Sequence, residues 1–231
     1  LTNVVSFNGG KYNATKYFKE LYFTYLKEPV DTIPMSFGNV EITVALKSLR
    51  EWYFNREWFE ILDFVEYHAV KFPDLISDFN IILEREGSAY RFVDTQLVEI
   101  VNEEEIAEIE KALNSHDKYK GVKIHLNTAL TLMANRDNPD YRNSVKESIS
   151  AIESLAIIIT GNTKGTLGEL LKTIQLPSAL KKGFSTLYGY TSSEDGIRHA
   201  LLDEPSVSLN EARYMLITCS AFANYLIAKD T

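Results

Sequence analysis

Tyr141–Thr160 reads YRNSVKESISAIESLAIIIT. At 100° per residue, Val145, Ile149, Ile152, Leu155, Ala156 and Ile159 fall on one arc, which predicts an amphipathic helix with one buried face. Pro139 and Asp140 stand where a helix opens, and Gly161 stands where one stops. Arg142, Lys146 and Glu153 form a stripe at the edge of the arc. Two roles suit that stripe: a solvated flank, or a half-buried polar row that lines a site. As a flank, its side-chain pairs would contribute only about 0.3 kcal/mol each.

Working outward, the neighbouring segments share the helical period. Tyr119–Asn135 is one amphipathic segment, and short helices are expected at Leu167–Ile174 and Pro177–Tyr188. Leu209–Ala228 (LNEARYMLITCSAFANYLIA) is apolar nearly all round, a pattern that fits a central bundle helix or one shared with a second copy. Between the helices, Gly161–Thr166 (GNTKGT) lacks the GxxxxGK[ST] order and a preceding strand, so it reads as a helix stop followed by a cap.

Further upstream, helices are expected over 16–27 (ended by Pro29), 40–54, 57–72 and 74–86, with 28–39 a loop. Ala89–Val93 and Leu97–Val101 are short β-prone runs around Asp94-Thr95-Gln96 and predict a small hairpin over about 89–101. Asn102 before three glutamates then caps a helix. The aromatic residues Trp52, Tyr53, Phe54, Trp58 and Phe59 suit a core, with a partner-binding patch as the alternative. The fold class is therefore mainly α: a helical domain with a β-hairpin over 1–115, then a helical bundle over 116–231.

Composition narrows the functional classes. The formal charge is −8, but residues 1–115 carry 11 Lys/Arg against 20 Asp/Glu while 116–231 carry 13 against 12. A polyanion meeting the first part would be repelled, so that part suits a protein partner; the second part permits nucleic acid. The single cysteine, Cys219, excludes an intrachain disulfide and fits a reducing cytoplasm. No apolar run reaches bilayer length, and the N-terminal residues lack the pattern of a secretory signal. The first residue is Leu rather than Met, so the native start is left open. His68, His116, His125 and His199 show no metal spacing, and no metal or cofactor is expected.

The chemistry concentrates in residues 183–205, GFSTLYGYTSSEDGIRHALLDEP. One reading is a helix stop at Gly189, a polar loop, and a helix capped by Ser192 or Ser193 with Glu194 and Asp195 in its first turn. That accounts for the acids but less well for Arg198-His199, a cation beside an imidazole on a polar loop of the kind that often carries function.

Ile61–His68 (ILDFVEYH) with Asn80–Leu113 resembles the N-terminal domain of AbiJ-like abortive-infection proteins of bacteria: a Glu-rich helix end, a Tyr-Arg-Phe strand, a second strand and an acidic helix start. Tyr141–Ile159 with Leu180–Ala200 is similar to their C-terminal HEPN-like domain. The resemblance implies a dimeric helical bundle and, in many such domains, metal-independent RNA cleavage in antiphage defence. It assigns His199 as acid/base toward a ribose 2′-OH and Arg198 as its cationic partner. Arg142, Lys146, Glu153, Tyr190 and Glu194 would bind RNA or line the site. The chain departs from the usual motif, an Arg four to six residues before the His, because the position five before His199 is Glu194. The enzyme question therefore stays open between a defence ribonuclease or RNA-binding effector and a non-catalytic dimerisation module.

Overall fold

The structure, a computed structural model, describes residues 14–100, 102–192 and 207–230. Among these residues, ten α-helices and two short antiparallel strand pairs make a mainly α protein. Packing divides the chain into two units, one ending at Phe79 and one beginning at Asn80.

In the first unit, α1 (Ala14–Glu20) continues as a π-helical turn over Leu21–Leu26. It ends at Lys27, whose φ of 52° is left-handed, two residues before the proline expected to stop it. The stretch expected to be a loop contains a hairpin, β1 (Met35–Ser36) with β2 (Asn39–Val40). Its two-residue turn places Phe37 and Gly38 at φ 49° and 81°, a conformation that Gly38 adopts without strain. α2 (Ile42–Phe54) and α3 (Trp58–Lys71) follow, the second opened by a reciprocal cap between Glu57 and Glu60.

The core of this unit gathers Tyr17, Phe18, Leu21, Ala45, Leu49 and Phe64. Trp52 and Tyr53 pack on it, whereas Phe54 and Trp58 remain 65% and 60% exposed. The aromatic run therefore splits between core and surface. His68 is buried inside: Tyr17 Oη lies 2.6 Å from its Nε2, and its Nδ1 lies 2.7 Å from the Phe64 carbonyl. A carbonyl can only accept, so Nδ1–H donates to it and Nε2 accepts from the phenol. Burial pushes the Tyr17 phenol up and His68 down, the latter favouring the neutral ring this network needs.

α4 (Ile76–Arg85) runs across the division after a 3₁₀ turn opened by Pro73. In the second unit β3 (Arg91–Val93) pairs with β4 (Gln96–Val98), Phe92 opposite Leu97. Asn80 clamps this hairpin, donating to the Phe92 carbonyl at 3.1 Å and accepting from its N–H at 2.7 Å. Asn102 caps α5 (Glu103–Leu113) by accepting from the Glu105 N–H at 2.9 Å.

The remaining helices are α6 (Lys120–Ala134), α7 (Tyr141–Thr160), α8 (Leu167–Thr173), α9 (Ser178–Ser192) and α10 (Leu209–Asp230). Asp140 caps α7 and Gly161, at φ 69°, ends it. Thr166 and Glu169 form a capping box on α8, which confirms that GNTKGT is a helix boundary. α9 corrects one expectation: it runs through Gly189 to Ser192 instead of stopping at the glycine.

α6 and α7 are antiparallel, because Gly121, His125 and Ala129 meet Ser154, Glu147 and Ser144 in reverse order. A Cβ at Gly121 would stand 2.4 Å from Ser154 Oγ, so the Ser154 side chain occupies the space that a larger residue at 121 would need. Gly121→Leu is expected to destabilise the protein by about 1–3 kcal/mol in urea unfolding. Gly121→Ala should cost less, since Ser154 can turn aside. One core joins Val93, Val98, Ile100 and Ile109 to Leu126, Ile149, Leu155, Leu216 and Leu226. The hairpin and α5 thus share their core with the C-terminal helices.

Candidate functional site

α7 is the central strut of the second unit, packed against α6 on one side and α10 on another, with α9 also in contact. Its buried residues include Val145, Ile149, Ile152, Leu155 and Ala156 of the arc expected from the sequence, while Ile159 at its end is partly buried. Arg142, Lys146 and Glu153 are all half-buried, as a polar row at the edge of that arc should be. Lys146 and Glu153 make no ion pair among the described residues. The stripe is real as geometry, since these three side chains share one side of one helix.

Three of the expected site residues, Glu194, Arg198 and His199, lie outside the described residues, as does the acidic helix start placed at Ser193–Asp195. Tyr190 belongs to α9 by its backbone. The described residues on either side of 193–206 are anchored on the core. Before it, Leu187 and Tyr188 pack on the core and the Thr191 hydroxyl donates to the Tyr188 carbonyl at 2.8 Å. After it, Val207 and Leu209 pack on the same core, and Ser208 and Glu211 cap α10 reciprocally at 2.7 and 3.4 Å.

Long-range polar contacts absent from the sequence reading fasten α10 in place. Arg213 donates from Nε and Nη2 to Glu105 at 3.2 and 2.6 Å. Asn224 donates to the carbonyl and carboxylate of Glu108 at 2.8 and 2.7 Å. Lys118 and the Tyr119 hydroxyl both reach Asp230, at 2.5 and 2.8 Å, and the Lys118 hydrogen bond leads the causes that lower its carboxyl below the usual range. A second imidazole also enters the picture: His125 Nδ1 lies 2.7 Å from Glu147 Oε2, both about one-third exposed. These pairs are separated by 22 to 116 residues, and no local spacing announces them.

Burial pushes the Cys219 thiol up, which makes it a packing residue rather than a nucleophile. No three His, Cys, Asp or Glu side chains among the described residues converge on a metal-sized site. No described helix is long and apolar enough to cross a membrane.

The fold and its polar stripe define a two-unit helical protein whose second unit is a bundle built around α7. Residues 3–115 match the family model AbiJ N-terminal domain 4. Over these residues, just under half of the chain, the protein is AbiJ-like, similar to the N-terminal domain of abortive-infection proteins. No curated protein and no solved structure matches the chain. The family match ends at 115, whereas packing divides the chain after Phe79, so its hairpin and α5 belong to the matched domain by sequence and to the bundle by packing.

Proposed function

We propose that the protein is a defence effector of the cytoplasm whose C-terminal part, 116–231, is a HEPN-like bundle that cleaves RNA without metal. What supports this reading is the packing of α9 and α10, the helices that flank Arg198-His199 in sequence, on α7, which bears Arg142, Lys146 and Glu153. In the proposed reaction His199 removes the proton of a ribose 2′-OH, and the 2′-oxygen attacks the phosphorus. The 5′-oxygen leaves with a proton from the acid form of an imidazole, giving a 2′,3′-cyclic phosphate and a 5′-hydroxyl. Arg198 offsets the charge that grows on the phosphoryl oxygens, while Arg142 and Lys146 hold the RNA backbone beside it. We assign Tyr190, Glu153 and Glu194 as the further residues of this proposed site.

A second reading, a non-catalytic module that dimerises and receives a protein partner on its acidic N-terminal part, is favoured by one surface feature. Tyr214 and Tyr225 stand 58% and 38% exposed on α10, where a second copy would cover them. The missing Arg-x4–6-His spacing also favours it.

RNA cleavage by the wild type beside His199→Ala, in EDTA, distinguishes the two. Cleavage lost in the mutant, with its circular dichroism unchanged, is the expected outcome. Absence of cleavage by the wild type over a range of RNAs would overturn the nuclease reading.

A further inference from the structure

We propose that the first unit carries a binding site for a free nucleotide on the outer face of α1. An open groove of about 660 Å³ lies there, lined by Lys16, Lys19, Glu20, Phe23, Thr24 and Val30 among others. Its size is that of a small-ligand site. Three features of the lining point to a phosphate beside a flat apolar body.

The cations come first. Lys16 and Lys19 lie three residues apart on one helix face, and Lys19 makes no ion pair among the described residues. Glu20, the one acid in the lining, is engaged by Lys71, a largely buried ammonium that also lies 5.9 and 5.6 Å from the Tyr17 and Tyr67 ring centroids. The lining therefore counts two lysines against one glutamate, although residues 14–79 hold 7 Lys/Arg against 11 Asp/Glu. A long polyanion would meet that acidic surround, whereas one nucleotide meets only the groove. This selects a free nucleotide over an RNA strand.

The aromatic surface is the second feature. Phe23 is 73% exposed and follows Lys16 and Lys19 at helical spacing, so one face of its ring is available to a base. The third feature is the backbone. The α-helix changes to a π-helical turn at Leu21, in the middle of the lining, and such insertions occur frequently at functional sites. The Thr24 hydroxyl donates to the Glu20 carbonyl at 2.6 Å and lies 3.1 Å from Tyr67 Oη, which fixes that end of the groove.

The test uses the full chain and isothermal titration with ADP, GDP, CDP and UDP, beside the four corresponding nucleosides and inorganic pyrophosphate. At least one diphosphate should bind saturably, and its nucleoside and pyrophosphate should each bind at least tenfold more weakly. Lys19→Ala and Phe23→Ala, both exposed and expected to leave the fold intact, should each weaken binding at least tenfold. No saturable binding by any of the four, or binding unchanged in both variants, overturns the proposal. So does binding of a single-stranded RNA oligonucleotide alone. The outcome is independent of RNA cleavage and of His199.

Discussion

A fragment beginning at residue 116 is expected not to fold, whereas one beginning at Asn80 is expected to unfold cooperatively. The sequence places a boundary at 115, but the C-terminal helices do not close their own core. Val93, Val98, Ile100, Ile109 and Ala112 are buried in the same cluster as Leu126, Ile149, Leu155 and Leu216. Shortening one large buried side chain typically costs about 2–5 kcal/mol, and a whole domain is stable by only about 5–15 kcal/mol. Removing several buried side chains together exceeds that margin. The same deletion strips Arg213 and Asn224 of Glu105 and Glu108, leaving partly buried polar groups on α10 without partners. Thermal unfolding by circular dichroism and proton NMR dispersion of the two fragments decide the matter. A sharp two-state melt of residues 116–231 would show that the hairpin and α5 are accessory.

The second large effect is expected at His68. Replacing it by Ala opens a cavity among Tyr17, Phe64 and Phe72 and removes the acceptor of the Tyr17 hydroxyl, a group that is itself buried. A buried donor left unmade costs about 1–3 kcal/mol beyond the lost packing, so His68→Ala should destabilise the first unit by about 3–5 kcal/mol. Both tryptophans, Trp52 and Trp58, lie before Phe79, so their fluorescence reports on this unit during urea unfolding.

His68 also sets a pH dependence. Burial, with a smaller contribution from Lys71, lowers its pKa below the usual 6.5, against the Phe64 carbonyl, which raises it. The unfolded chain therefore binds the proton more readily than the folded one. Stability attributable to His68 is complete above about pH 6.5 and declines as the pH falls toward the lowered value. His68→Gln should flatten that decline; an equally steep loss below pH 6.5 in the variant would assign it to other groups.

The helices were legible because their apolar arcs and end signals agree. Val145 to Ile159 wrote α7 plainly, and Asn102, Asp140, Gly161 and Thr166 marked boundaries that the backbone confirms. Local signals failed where a longer-range or backbone term decided. Gly189 suggested a stop, yet α9 passes through it to a buried Thr191, since a glycine costs a helix only about 1 kcal/mol. The Met35–Val40 hairpin escaped notice because strands of two residues show no alternation to read. At the candidate site, the Arg142–Lys146–Glu153 stripe was visible from helical period alone. Glu147 opposite His125 and Glu105 beneath Arg213 were not, since each pair depends on how helices distant in sequence come together.

The measurement closest to the central claim is the chemistry of the RNA ends produced by the purified protein in EDTA. Attack by the 2′-oxygen predicts 2′,3′-cyclic phosphate and 5′-hydroxyl ends, absent from the His199→Ala digest. Ends bearing 3′-hydroxyl and 5′-phosphate, or cleavage that persists in the mutant, would contradict the assignment of a metal-independent nuclease centred on His199.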